Sequence, residues 1–524
     1  MNSIKMLHIE GYKKFVNLDV PFNEHMNILV GENEAGKSTI LDAIKTVLNQ
    51  QYKNADKSIL KELMNEQMVS HFTSEPSIQN LPYIYIELQL ELDPRGKNSE
   101  YFFGENNRSK AESFGIVFEC RFDEELGSGL DKEIFEGKIP YEYYTLRWNT
   151  FAGLPYQLIK RPLNFLAIDA SSSDSNSSFN YFNRTLFSSC YDERTRMDAK
   201  NSFRDRLSQA FSEIGLPDIS DRRKFGVNDK KVILESILSV YEGSIALENR
   251  GSGMESLIKT QIALDRQKSH LDVVLIEEPE NHLCFSTLRK MLAEISARQA
   301  ESQMIIATHS NMIASRLNLK NVLWITNERV VSLQEIDKDV SDFFVKADDN
   351  SFLQLLLSYK VILVEGATEF LLLPYIYSQL KGRTVEEDSI CIISCNGISY
   401  KHYLEIGKAT GKKIAVITDN DKKSDRISQA VSFNETNSAQ HIFMGYTVDE
   451  WTWEACFYQL NRDILDSMIK VRSGADYLVH GVDYGPVLGK MLNNKVDTAY
   501  KMLVSGSTFD VPQYVKDAIE WLSK

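Results

Sequence analysis

Cysteine is scarce, six in 524 residues: Cys120, Cys190, Cys284, Cys391, Cys395 and Cys456. None stands in a paired metal-type spacing. Cys391 and Cys395 are four apart, and without a second pair or nearby histidines that makes no zinc site. Buried, reduced thiols are expected, which excludes a disulfide-held framework. Long apolar runs are absent too, and no stretch reaches the roughly 20 residues that a bilayer span needs. Lys5, Glu10, Lys13 and Lys14 break up the amino-terminal MNSIKMLHIEGYKKF, so no secretory core is present there. A cytoplasmic protein without membrane contact is expected. Positive charge is also short: Lys and Arg number 59 against 73 Asp and Glu, a net −14. A general nucleic-acid binder is not advertised. A metal-dependent nuclease remains allowed, because it concentrates carboxylates at its site and meets DNA through a local basic patch.

What is present is a soluble composition, 43% apolar and 25% charged, in a chain long enough for two or three domains. Two acidic constellations stand out. The first is VVLIEEPENHL, residues 273–283, an apolar strand ending in Glu277 and Glu278. Adjacent carboxylates repel and must be desolvated together, so a strand gains nothing from them. A bound cation and a reacting phosphate account for them. A phosphate cradle lies upstream: GENEAGKS, residues 31–38, fits G-x-x-x-x-G-K-[ST] at every fixed position. It follows the apolar strand MNILV and opens a helical stretch, the context such a loop needs. Its backbone N–H groups and the helix N-terminus suit phosphates. Asn33, Glu34, Gly36, Lys37, Ser38 and Thr39 are the candidate nucleotide ligands, with Lys37 on the β/γ-phosphates and Ser38 on Mg²⁺. Residues 303–310, QMIIATHS, form another apolar strand, and His309 at its tip is the candidate γ-phosphate sensor. Ser252 and Gly253, in NRGSGMES just upstream of the acidic strand, sit where ABC-type ATPases carry their signature loop. That loop binds the γ-phosphate held by the opposite protomer; GSGMES departs from the common LSGGQ form.

About 240 residues separate the glycine loop from the acidic strand. In a compact P-loop fold those two strands lie side by side, so a large insertion over about 52–245 is expected. Within it, residues 83–92, 114–122 and 141–148 alternate as strands do, forming a β-rich part. SSSDSNSSFN, 171–180, reads as a surface loop. Residues 192–215 read as a helix rich in arginine (Arg194, Arg196, Arg204, Arg206, with Lys200), and Arg222, Arg223 and Lys224 follow. Interleaved acids make it a solvated face rather than a DNA contact.

IEGYKKF, GENEAGKST, GSGMES, LIEEPENHL and ATHS, in this order, resemble the ABC-type ATPase head of RecF/SMC-related proteins, and especially the overcoming-lysogenization-defect (OLD) family. The resemblance covers roughly residues 1–345. It implies ATP as ligand, with Glu277 holding Mg²⁺ through water and Glu278 activating the hydrolytic water. Glu277 stands where Asp is usual, so slow hydrolysis is expected. Such a head completes its site across two chains, which implies a homo-oligomer: a dimer at least, with a tetramer also compatible.

The second constellation lies downstream. VILVEGATEFLLLPYIYSQL (361–380) reads as strand, Glu-Gly tip and helix, with Glu365 and Glu369 four apart on one side. ICIISCNG (390–397) and KKIAVITDNDKKSD (412–425) are further apolar strands. Asp419 and Asp421 sit beyond the second of these, and in extended backbone i and i+2 point the same way, toward one metal. Glu454 adds a carboxylate at the start of a helix. Strands ending in acid, with helices between, describe a small parallel sheet with its ligands at the carboxyl ends.

This half is similar to a Toprim domain, the fold shared by topoisomerases, primases and OLD nucleases. The resemblance implies a divalent-metal-dependent nuclease using Mg²⁺ or Mn²⁺. Glu365, Glu369, Asp419, Asp421 and Glu454 (in a T-x-E) are the metal ligands, and a late lysine, matched by Lys495 beside Lys490 and Lys501, balances the transition state. The expected architecture is therefore α/β: a P-loop ATPase domain over 1–345, a linker at 346–359, and a Toprim nuclease domain over 360–524. The expected function is ATP-regulated DNA cleavage. Relatives of this kind are anti-phage effectors, some working with a helicase or with a retron reverse transcriptase and its small DNA. The alternative is a RecF-like DNA-repair ATPase with a non-catalytic Toprim module.

Overall fold

The computed structural model describes residues 2–524 apart from 128, 170–175, 215, 218, 220–222, 224, 229–232, 266–270, 299–301, 348–350, 396–398 and 473–476. The chain forms two compact units, residues 1–317 with 321–334, and 318–320 with 335–524.

In the first unit the amino-terminal alternation becomes a hairpin, Ser3–Tyr12 against Phe15–Pro21. Ser3–Tyr12 pairs on its other edge with Ile84–Glu91, which pairs with Ser113–Phe122, and that strand with Tyr144–Thr150. Ile84, Ile86, Leu88 and Leu90 point into the core, while the residues between them face outward. These strands therefore complete the first sheet. The expected insertion over 52–245 is not one separate body, because its β-rich part is built into the head.

The second sheet runs Val330–Ser332, Val322–Ile325, Met26–Val30, Gln303–Ala307, Val273–Glu277, Phe165–Asp169. Its central strands are buried along their length, as parallel strands covered on both faces are. The order corrects one expectation. The glycine-loop strand and the acidic strand are not neighbours, because Gln303–Ala307 lies between them and pairs with both. The helix Lys37–Asn49 joins the two sheets, with Ile40, Ile44 and Val47 in one core with Ile86 and Ile116 on one side and Leu29 and Ile305 on the other.

Of the stretch expected as a loop, 171–180, residues 176–180 instead begin the helix Asn176–Cys190, and 171–175 lie outside the described residues. The helix Glu193–Glu213 buries none of its residues. Arg222 and Lys224 lie outside the described residues.

The second unit holds a four-stranded parallel sheet, Ile390–Ser394, Lys360–Val364, Lys413–Ile417, Gln440–Phe443. Its fourth strand, QHIF, is too short to show a period in the sequence. The helices Ala367–Lys381 and Gln513–Ser523 share its core, with Leu372 and Ile376 beside Val515 and Ile519. The expected linker at 346–359 contains the helix Ser351–Leu357, whose Phe352, Leu353, Leu355 and Leu356 are buried. A linker keeps such side chains wet. Here they are core, so the second unit begins near 335. Among the described residues no helix is long and apolar enough to cross a membrane.

Candidate nucleotide site and acidic site

The glycine loop follows Val30 and turns into its helix through Gly36, whose φ is +98°. A Cβ there would lie 2.2 Å from the Phe15 ring, so only glycine fits. Lys37 Nζ donates to the carbonyls of Gly31 and Glu32, each at 3.0 Å. Burial pushes its ammonium down to about 8 against the pull of Glu278, Glu280 and Glu277. Asn33, Glu34, Gly36, Lys37, Ser38, Thr39, Glu277, Glu278 and His309 all line one cleft of about 460 Å³. Lys13 and Lys14, from the first hairpin, line it too, and sequence reasoning did not single them out as ligands.

At the acidic tip, Glu277 is half-buried and hydrogen-bonded to Ser38; burial and then Asp169 raise its proton affinity. Glu278 has a left-handed backbone, φ +46°, uncommon for a residue with a Cβ. The turn is held by Glu278 N–H donating to the Ala307 carbonyl at 2.8 Å and Asn281 Nδ2 donating to Glu278 Oε2 at 2.6 Å. His309 Nε2 stands 3.9 Å from Glu278 Oε1. Burial, then Lys37, lower the proton affinity of this imidazole. A third carboxylate was missed: Glu280 Oε1 accepts from Thr308 Oγ1 and His309 N–H, both at 2.8 Å, and ties the two strand tips together. The signal was in the sequence, in EEPE beside ATHS. Ser252 and Gly253 do not line the cleft. Gly253 instead packs on the chain after the acidic tip, where a Cβ would lie 2.2 Å from the His282 carbonyl.

In the second unit the strand tips bring four carboxylates into mutual electrostatic reach. Glu365 Oε2 accepts from Thr418 Oγ1 at 2.7 Å and from Asp419 N–H at 3.1 Å. Asp419 Oδ1 accepts from Trp453 N–H at 2.9 Å. Glu454, 1% exposed, opens the helix Trp453–Leu460 behind the cap residue Thr452. It accepts from Thr452 Oγ1 at 2.7 Å and Thr368 Oγ1 at 3.1 Å. Glu369 is buried in the first turn of Ala367–Lys381. Burial, then Glu454, push Glu369 up to about 7. Burial, then Glu369, Glu454 and Glu365, push Asp419 up to about 8. Lys495 Nζ lies 3.2 Å from Glu454 Oε2, and the acids in turn raise its proton affinity. Of the three neighbouring lysines it is the one directed at this cluster: Lys490 bonds the Lys470 carbonyl and Lys501 pairs with Asp497.

Asp421 is a correction. The strand ends at Ile417, and Asp421 lies past it in a left-handed turn, φ +52°. The i, i+2 rule for extended chain therefore does not apply. Its carboxylate is half-exposed and paired with Arg426, a residue sequence reasoning missed. Asn396 and Gly397, the other expected tip, lie outside the described residues.

The donor set fits a hard divalent cation: buried and half-buried carboxylates whose mutual repulsion is relieved, among the described residues, chiefly by Lys495. Threonine hydroxyls, backbone N–H groups and Lys495 now occupy those oxygens. Among the described residues no three His, Cys, Asp or Glu side chains stand as a ready metal cage.

Fold and site together define the class: a P-loop ATPase head followed by a Toprim domain. Residues 356–421 match the family described as "Overcoming lysogenization defect protein-like, TOPRIM domain", and residues 6–214 match an AAA domain. The chain is similar to the Old nuclease of Escherichia phage P2, 24% identical over 219 residues, which cover 39% of this chain and 34% of that protein. It thus spans about a third of that relative's length. Among solved structures, the SMC head domain from Thermotoga maritima is 13% identical, covering 63% of this chain and 98% of that one, with a TM-score of 0.29. The C-terminal region of the Burkholderia pseudomallei OLD protein is 15% identical, covering 32% and 97%, with a TM-score of 0.26. The chain thus joins a stretch similar to an AAA domain to a stretch similar to the Toprim domain of OLD-like proteins. Those two domains imply nucleotide and divalent-metal use in general.

Proposed function

We propose that the chain is an ATP-regulated, divalent-metal-dependent DNA endonuclease. The observation that carries this reading is the buried cluster of Glu369, Asp419 and Glu454 against Lys495, at the carboxyl edge of a Toprim sheet. Asp419, Glu369, Glu454 and Glu365 would hold Mg²⁺ or Mn²⁺, with Asp421 reaching them if Arg426 lets it go. A cation held there would supply Lewis acidity toward a phosphodiester and its attacking water. The chain's own residues do the rest. Thr418, Thr452 and Thr368 fix the carboxylates. Lys495 offsets negative charge growing on the phosphate. Asp419 and Glu369 retain protons near neutral pH until a cation takes their place.

In the first unit, Lys37 and the loop N–H groups bind the nucleotide phosphates. Ser38 and Glu277 serve its Mg²⁺, Glu278 activates water, and His309 reads the γ-phosphate. Ser252 and Gly253, which do not line their own cleft, would serve a partner copy's nucleotide, and on this reading a homodimer is the least assembly. The name of the phage relative supports the nuclease assignment. DNA substrate, cytoplasmic location and a role in phage defence, beside a helicase or reverse transcriptase, belong to the same reading.

The test is nicking of supercoiled plasmid with Mg²⁺ or Mn²⁺, with and without ATP. The full chain should cut, and Asp419→Ala should lose at least about 100-fold. Absence of metal-dependent cutting in both would reject the reading in favour of a RecF-like clamp.

A further inference from the structure

Beside the acid cluster stands a group that the chemistry above does not use. Lys422 Nζ lies 4.4 Å from the Trp451 ring centre and 4.8 Å from that of Tyr484. It also donates to the Tyr484 hydroxyl at 2.9 Å. The two rings are 5.1 Å apart and tilted by 34°. Both residues are half-buried, and Lys422 is exposed.

The cluster is tied to the site through backbone. Asp421 N–H donates to the Trp451 carbonyl at 3.2 Å, and the next residue, Thr452, holds Glu454. Asn420, fully buried, donates its amide to the carbonyls of Gly445, Thr447 and Glu450 at 2.8–3.1 Å. Its Oδ1 accepts from Lys422 N–H at 2.9 Å, which sets the left-handed turn that lifts Lys422 over the rings. The Glu450 carboxylate pins the same loop, accepting from Tyr446 and Thr447 N–H. Trp451 and Lys422 are thus held by a hydrogen-bonded loop, Lys422 next to Asp421 and Trp451 three residues from Glu454, with Tyr484 joined to them through Lys422.

We infer that Trp451 and Tyr484, with Lys422, form a stacking platform for an unpaired base of single-stranded nucleic acid next to the cleaved phosphate. A purine or pyrimidine offers the flat face that such rings accept, whatever the sequence. Lys422 now fills the place of that base, and on binding it turns to the neighbouring backbone phosphate. Paired bases in intact duplex keep their faces covered, so the platform selects frayed, displaced or single strands. A charge-only patch would not need aromatic faces, and a buried structural clamp would not leave both residues part-exposed with an exposed lysine over them.

The inference rests on the nuclease reading for its substrate class, and its test separates the two. Binding of a fluorescein-labelled single strand of roughly 12 nucleotides, and of the same sequence as blunt duplex, is measured with the full chain in EDTA, where nothing is cut. Trp451→Ala and Tyr484→Ala should each weaken single-strand binding by about fivefold to 150-fold. Duplex binding should change by less than about twofold, and Trp451→Phe should keep most of the affinity. Lys422→Gln should lower the salt dependence of single-strand binding by about one counterion. Unchanged single-strand affinity in both alanine variants overturns the platform. So does an equal loss on duplex and single strand. If Trp451→Ala fails to fold by circular dichroism, Tyr484→Ala and Lys422→Gln decide. A chain that never cuts plasmid but loses single strands on Tyr484→Ala keeps the platform and loses the nuclease.

Discussion

Asp419 carries the sharpest quantitative prediction. Its carboxyl is pushed from the ordinary 3.8 up to about 8. For an acid, a raised value means that the folded state prefers the proton. The cost of ionising it is absent below pH 3.8, grows as pH rises toward 8, and is fully present above. Glu369, raised to about 7, adds a cost of the same sign. The shift of Asp419 alone converts to a ceiling of about 6 kcal/mol, since a tenfold change in proton affinity is about 1.4 kcal/mol. Asp419→Asn removes the charge and keeps an oxygen to accept from Trp453 N–H, now at 2.9 Å. Because neighbouring acids share the relief, a gain of at least about 2 kcal/mol is expected in metal-free protein at pH 8.5, roughly 4–8 °C in the melting of the second unit. At pH 5 the gain should shrink to under about 1 kcal/mol. Excess Mg²⁺ or Mn²⁺ should raise the melting temperature of the unaltered protein and leave the variant unmoved. The assay is differential scanning calorimetry in EDTA across pH, then with metal. A variant no more stable at pH 8.5, or equally stabilised at pH 5 and 8.5, refutes the account of the cluster as uncompensated buried charge.

Three further outcomes follow from the same geometry. Glu278→Gln should slow ATP hydrolysis by about 100-fold or more and trap bound ATP, while metal affinity at Asp419, read by calorimetric titration, stays unchanged; loss of both would refute separate sites. Gly36→Ala, which forces a Cβ into the Phe15 ring at a φ of +98°, should cost about 1–3 kcal/mol and abolish binding of a fluorescent ATP analogue. Lys495→Ala should lower plasmid nicking by about 100-fold, whereas Lys490→Ala and Lys501→Ala should stay within about threefold; a larger effect at Lys501 would move the transition-state role away from Glu454's partner.

Motifs that are local in the chain were legible before the fold. The glycine loop, the acidic tip and His309 came from contiguous runs whose backbone geometry follows from their own residues. Lys495 needed the resemblance to be singled out at all, and the placement of Nζ to be distinguished from Lys490 and Lys501. What escaped was what depends on pairing across distance. Nothing in YIYIELQLEL says that it pairs with Ser3–Tyr12 rather than forming a separate insertion. Nothing in QMIIATHS says that it lies between the glycine loop and the acidic strand. The Asp421 expectation failed for a local reason: it assumed an extended chain past Ile417, where Asn420 instead draws the backbone into a turn.

The two sites share a physical design with the signs reversed. In the first, Lys37 is short of water and bonded to its own loop carbonyls, and burial leaves its proton loosely held. An anion arriving at the loop gives that ammonium a better partner than Gly31 and Glu32 offer. In the second, acids are short of water and of positive charge, so their protons are tightly held. A cation arriving there replaces those protons. On the proposed reading each site is poorly satisfied without its ligand, and each should gain stability when the ligand binds. Nucleotide should therefore stiffen the acidic tip through Glu278, Glu280 and His309, and metal should stiffen the strand ends through Asp419 and Glu454. On the proposed reading, regulation of cutting by ATP needs no contact between nucleotide and DNA.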